Sequence, residues 1–206
     1  MDIDRWSSIF DRGRIISYRR DQTMLLKGSL KGNVLRVVEG WALVTDPHPD
    51  GEHTFLEIRG RGQLLGETSA LSGQPRNAEV TAVCRTVVQA IGYERFLTEL
   101  GRSDALVGML LHAQQLHMRA NVRAGLRRFG VASGLSRLLL DLAHTAGTSH
   151  VAGIPQKVLA LVLGVTPRTL SGAVTELERR GALCVRWPVI HITDEVVLEQ
   201  LARSNA

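Results

Sequence analysis

The 206 residues predict an α+β chain, in which an antiparallel β-roll, a long helix and a winged helix-turn-helix follow one another. Three observations predict it. Turn residues cut the first hundred positions into short apolar or alternating runs. From Ser103 the apolar spacing changes from two to three and four, and beyond Ile154 two helical patterns meet at one glycine ahead of two β-like runs. With 44% hydrophobic and 22% charged residues the chain can bury a core, which argues against a disordered or fibrous protein.

The β-region comes first. Runs at 33–38, 41–45, 54–58 and 87–91 are rich in Val, Leu, Ile, Phe and Thr, and turn residues at 39–40, 46–51 and 59–62 separate them. Many short strands at this spacing suggest a compact antiparallel roll or barrel. Asp46, His48, Asp50, Glu52 and His53 crowd one of these turns. They fit solvated turn residues or a cation site, and the first is the plainer reading.

The long helix follows. Leu106, Met109, Leu110, Ala113, Leu116, Ala120 and Ala124 repeat at three and four, with Ser103 as cap and Asp104 against the positive helix end. A seam this long and narrow suits a coiled-coil contact between two copies, so a homodimer is expected. The alternative is a helix packed across its own β-domain. Two glycines within 129–134 mark a hinge or helix break, a second helix is expected near 135–145, and 146–149 is a polar connector. The domain division drawn from this pattern is 1–129 and 130–206.

The C-terminal pattern is the most specific. Val158, Leu159 and Val162 face inward from a first helix, Ala160 allows close approach, and Gly164 supplies the turn. Thr166 sits at an N-cap with Pro167 at the first helical position, and Leu170, Val174 and Leu177 form the stripe of a second helix. Two alternating runs, 183–186 and 189–192, complete a β-wing. The geometry of such a unit sends the start of its second helix, Thr166 to Ser171, into the major groove of double-stranded DNA.

Together with Gly66-Glu67, the run Pro75-Arg76-Asn77-Ala78-Glu79-Val80-Thr81-Ala82, and the sequel Ile190-His191-Ile192-Thr193-Asp194, this pattern resembles the Crp/Fnr family of bacterial transcription regulators. The resemblance covers residues 16–201. It implies a cyclic-nucleotide-binding β-roll in which Glu67 accepts a hydrogen bond from a ribose 2′-hydroxyl and Arg76 pairs with the cyclic phosphate. Gly66 would let the backbone approach the ligand, and Asn77 would keep a polar phosphate contact. At the base end the resemblance puts Ala120 and Asn121, of which Asn121 retains a polar group. Cyclic AMP is the leading effector, with cyclic GMP or another ligand as alternatives, and no cofactor is required. Otherwise, Glu67 and Arg76 form a structural ion pair in an empty roll.

On the DNA side, the base-contacting positions of the family fall on Pro167, Arg168 and Gly172. Only Arg168 can make a bidentate contact, while Thr166, Thr169 and Ser171 suit phosphates. The expected function is an effector-responsive regulator of transcription. Two alternatives stay open: the same fold with another effector or none, and a nucleotide sensor acting through protein contacts.

Other features carry less. Residues 60–66 imitate a dinucleotide fingerprint with one residue too many, and His112 and His117 are five apart, which puts them on different helix faces. Cys84 and Cys184 are too few for an iron–sulfur site built from this chain alone. No nucleophile, acid–base pair or metal set has a recognisable spacing, so the chain reads as a non-enzyme. The start lacks a basic lead into an apolar stretch, and no apolar run reaches the roughly 20 residues of a membrane span. A cytoplasmic protein without a membrane partner is expected.

Charge adds a constraint. Residues 1–100 hold 13 basic and 13 acidic side chains, 101–150 hold 6 and 2, and 151–206 hold 6 and 5. The net +5 therefore owes nothing to the β-region and little to the winged unit. Arg119, Arg123, Arg127 and Arg128 supply much of it, as a phosphate-attracting face or a solvated one.

Overall fold

The computed structural model describes residues 7–30, 32–51, 53–101 and 130–203. The expected long helix, with Ala120, Asn121, His112, His117 and the arginines at 119, 123, 127 and 128, lies outside the described residues. Two compact units make up the chain, residues 1–118 and 119–206.

The first unit is an antiparallel roll of two four-stranded sheets. One runs β1 (Arg14–Tyr18), β8 (Thr86–Gly92), β3 (Asn33–Glu39), β6 (Leu64–Leu65); the other runs β2 (Thr23–Leu25), β7 (Glu79–Ala82), β4 (Ala42–Pro47), β5 (His53–Arg59). The sequence periodicity explains the layering. In β8, Thr86, Val88 and Ala90 are buried while Val87 and Gln89 between them are less so, as a period of two requires. Leu25, Leu35, Val37, Leu65, Val80 and Val88 fill the space between the sheets. A second cluster joins helices to the first sheet: Phe10 of α1 (Ser7–Phe10) meets Phe96 of α3 (Tyr93–Gly101), ring centroids 6.3 Å apart, over Val34, Leu64 and Ile91.

The second unit holds α4 (Val131–Ala146), β9 (His150–Ala152), α5 (Gln156–Leu163), α6 (Pro167–Arg179), β10 (Leu183–Arg186), β11 (Val189–Ile192) and α7 (Glu195–Arg203). Helices α5 and α6 bend by 99° at their junction, within the range of a helix-turn-helix. Gly164 makes the bend at φ 66°, a left-handed conformation that costs a glycine nothing. Thr166 then caps α6, its hydroxyl accepting the Thr169 N–H at 3.2 Å, with Pro167 at the first helical position. Leu170, Val174 and Leu177 are buried as their spacing predicts. The wing strands β10 and β11 pair antiparallel, and β9, which the sequence pattern does not announce, adds a third strand.

One expectation needs correction. The proposed break at 129–134 does not extend beyond Gly130: α4 begins at Val131 and carries Gly134 buried inside it. Glycine costs a helix roughly 1 kcal/mol relative to alanine. Burial of Leu135, Leu138, Leu139 and Leu142 on the same helix outweighs this, and hydrogen bonds from Ser133 Oγ and Arg137 Nε to the Ala202 carbonyl tie its first turns to α7. No helix among the described residues is long and apolar enough to cross a membrane.

Leu177→Ala is expected to cost about 2–5 kcal/mol, because a fully buried leucine leaves a cavity, whereas Leu161→Ala at a 41% exposed position stays within about 0.5 kcal/mol. Urea denaturation of both variants measures the contrast.

Candidate functional site

Two charged side chains are buried where the first sheet hands over to a short helix. Strand β6 ends at Leu65, Gly66 caps α2 (Glu67–Ser72), and the loop to β7 carries Arg76; Glu67 is 7% exposed and Arg76 5%. The loop is clamped from both sides, since Gly28 N–H donates to the Arg76 carbonyl at 2.8 Å and Arg76 N–H donates to the Ser29 carbonyl at 3.1 Å. The guanidinium is held as firmly. Its Nη2 donates to the Asn33 carbonyl at 2.8 Å, and its carbon lies 5.3 Å from the centre of the Tyr93 ring. Nη1 is buried without any hydrogen-bond partner among the described residues. An unmet buried donor on a charged group is costly, and an anion placed against it would relieve that cost. Burial pulls Arg76 below the ordinary arginine value, with Tyr93 and Glu67 acting in the opposite direction.

Gly66 makes the seat possible. Its φ of 83° is left-handed, and a Cβ there would stand 2.1 Å from Arg76 Nη1. No side chain at this position can coexist with the guanidinium in its place.

These residues open onto a cavity of about 420 Å³, counting its solvent-open mouth, lined by Gly66, Glu67, Arg76 and Asn77 with Leu25, Val44 and Val80 as its apolar walls. Four of the five candidate ligand residues thus meet in one pocket, and Asn121 lies outside the described residues. Arg59, at the end of β5, also lines the pocket, and sequence reasoning missed it. Its Nη2 is 3.6 Å from Glu67 Oε1, its Nε 2.8 Å from Glu57 Oε2, and its Nη1 donates to the Leu64 carbonyl at 3.2 Å. The cation that reaches Glu67 is therefore Arg59, and the alternative of a Glu67–Arg76 ion pair is not what forms. Burial pushes the Glu67 carboxyl up from its ordinary value; Arg59, its own backbone amide and Arg76 pull it back, while Glu57 adds to the rise. A signal existed in the sequence: Glu57 and Arg59 are two apart on a strand and share a face. A pocket with an unsatisfied guanidinium donor and a carboxylate acceptor can take a molecule bearing both an anionic group and a hydroxyl.

The second candidate site is the start of α6. Thr166, Arg168, Thr169 and Ser171 are all exposed there. Thr166 and Thr169 share a hydroxyl hydrogen bond at 2.9 Å, and Ser171 Oγ accepts from Gln156 Nε2 of α5 at 2.5 Å. The Ser171 hydroxyl keeps its own proton free to donate. Gln156 is a further polar group at this surface that sequence reasoning passed over. At the other end of the helix, Arg179 and Arg180 both bind Glu176, at 2.7 and 2.6 Å, and their hydrogen bonds hold the Glu176 carboxyl below its usual range. Lys157, Arg168 and Arg186 are exposed and engage no acid among the described residues.

Gly66→Ala is expected to destabilise the first unit and to cost clearly less in an Arg76→Ala background, where the φ strain of about 1 kcal/mol and a 3.1 Å approach to Leu25 Cδ1 remain. Equal costs in both backgrounds, measured by thermal denaturation, would contradict the steric assignment.

Comparisons with known proteins fit this geometry. The family model for a cyclic nucleotide-binding domain matches residues 15–103, and that for a Crp-like helix-turn-helix domain matches 135–201. A CRP-like cAMP-activated global transcriptional regulator of Mycobacterium tuberculosis is 24% identical over 91% of this chain and 88% of its own. A cyclic AMP receptor protein of Thermus thermophilus is 23% identical over 90% of this chain and 86% of its own. In fold, the chain is similar to FixK2 of Bradyrhizobium japonicum, with a TM-score of 0.80 at 20% identity, covering 94% of this chain and 99% of that one. With a nucleotide-binding domain ahead of a Crp-like helix-turn-helix, the chain belongs to the Crp/Fnr family of effector-responsive, DNA-binding transcription regulators.

Proposed function

We propose that the protein is a homodimeric, cytoplasmic regulator whose first part, residues 1–129, binds a cyclic nucleotide, cyclic AMP foremost. Residues 130–206 then grip double-stranded DNA. The observation that carries the effector reading is the buried Arg76 Nη1 with no hydrogen-bond partner among the described residues. Arg76 pairs with the cyclic phosphate, Glu67 accepts from the ribose 2′-hydroxyl, Gly66 keeps the approach open, Asn77 adds a polar phosphate contact and Asn121 meets the base. The names of the mycobacterial and Thermus relatives, which describe cAMP activation and a cyclic AMP receptor, support the same choice.

DNA contact follows from the exposed start of α6. Its N-terminal dipole and the hydroxyls of Thr166, Thr169 and Ser171 favour phosphate, while Arg168 reaches a guanine edge. Two copies set two such helices about 34 Å apart, one turn of B-DNA. Effector binding changes DNA affinity only through tighter binding to the DNA-competent arrangement.

Calorimetry with cyclic AMP and cyclic GMP is expected to show binding that Arg76→Ala weakens by about 10-fold or more, the value of a charge-assisted hydrogen bond. Unchanged affinity in that variant removes the phosphate assignment. In a binding-site selection run with and without cyclic AMP, Arg168→Ala is expected to lose preference at one base pair, worth about 1–3 kcal/mol, while affinity for wild-type protein falls steeply with salt.

A further inference from the structure

Three ionisable groups line the effector pocket, Arg59, Glu67 and Arg76, with Glu57 against Arg59, and only Glu67 and Arg76 have a role so far. Arg59 is 7% exposed and sits between two carboxylates, with Nε on Glu57 and Nη2 facing Glu67. A buried guanidinium needs its charge balanced and its donors used. Glu57 balances the charge, 2.8 Å from Nε, and Nη1 donates to the Leu64 carbonyl at 3.2 Å. The 3.6 Å separation from Glu67 Oε1 is too long for a hydrogen bond, so Arg59 supplies that carboxylate with positive potential without occupying its lone pairs.

Glu67 needs such a neighbour. A carboxyl this buried tends to protonate, and a protonated carboxyl offers a ribose hydroxyl a poorer acceptor than a carboxylate does. Among the described residues, Arg59 and Glu57 face it from β5 and Arg76 from the loop ahead of β7, the last with its Nη2 already on the Asn33 carbonyl. Arg76 is also the group that an incoming phosphate neutralises. Once ligand is bound, Arg59 is, among the described residues, the cation left to keep Glu67 ionised.

We infer that Arg59 is a positioning residue for ribose recognition: anchored on Glu57, it holds Glu67 as an ionised acceptor with free lone pairs, so that the pocket distinguishes nucleotides bearing a 2′-hydroxyl from those lacking one. This rests on the cyclic-nucleotide reading of the pocket. It adds a residue that acts on selectivity through Glu67 and does not touch the phosphate. Removing Glu57 should act in the opposite direction, because Glu57 is the neighbouring charge that pushes the Glu67 carboxyl up.

The test is calorimetry on the full chain with cyclic AMP and 2′-deoxy cyclic AMP between pH 5.5 and 8. Wild type is expected to prefer cyclic AMP by on the order of 10–100-fold. In Arg59→Met the preference collapses towards unity, and affinity for cyclic AMP falls as pH is lowered at a higher pH than in wild type, since more Glu67 is protonated. Glu57→Gln keeps the preference and moves the pH fall lower, which tests the idea without deleting the buried arginine. A wild-type preference and pH profile retained in Arg59→Met overturns the inference while leaving phosphate binding by Arg76 intact. So does a Glu57→Gln profile displaced to higher pH. Wild-type protein that binds neither nucleotide sinks the effector reading itself.

Discussion

A guanidinium taken out of water and left with an unused donor is the constraint around which the first unit is organised. Arg76 must be paid for by its surroundings, and each neighbour contributes one part: the Asn33 carbonyl takes one nitrogen, Tyr93 presents a ring face, and Ser29 and Gly28 fix the backbone. The strands set these groups. Asn33 opens β3, Tyr93 follows β8, and the paired register of those two strands, Asn33 opposite Gly92, brings carbonyl and ring to the same arginine. Sheet pairing thus fixes the pocket's electrostatics before any ligand arrives.

The two units solve opposite problems with charge. In the roll, burial makes charges expensive, so Glu57, Arg59, Glu67 and Arg76 compensate one another around a cavity. In the winged unit the charges are exposed and individually weak. Several are spent locally: Glu176 engages two arginines, and Arg203 engages Glu199. Among the described residues, Lys157, Arg168 and Arg186 keep their charge unpaired by an acid, near a helix start whose hydroxyls are ordered by hydrogen bonds.

Much of this was legible in the sequence where one physical rule dominates. Alternation found β3, β4, β5 and β8 because each buries one face. Gly164, Thr166 and Pro167 announced the helix junction because their backbone requirements are narrow. The misses share a cause, since each depends on a distant partner. Arg59 was read as part of a turn because it precedes glycine, yet its burial comes from Glu57 and Glu67. Gly134 looked like a break, but packing of α4 overrides propensity there. Strand β9 is three residues long and exists because β11 offers an edge. Glu67 and Arg76 were identified only through resemblance, since neither spacing nor composition says that two charges nine positions apart share a cavity.

The contact geometry at Gly66 reaches beyond this one chain. A glycine that merely turns the backbone can drift to asparagine or aspartate over evolutionary time, because those residues tolerate left-handed conformations. This one cannot drift while the guanidinium keeps its seat, for any Cβ would overlap Nη1. Position 66 thus couples one backbone letter to one side chain: a residue other than glycine here requires the Arg76 guanidinium to sit elsewhere, whatever else of the roll is preserved.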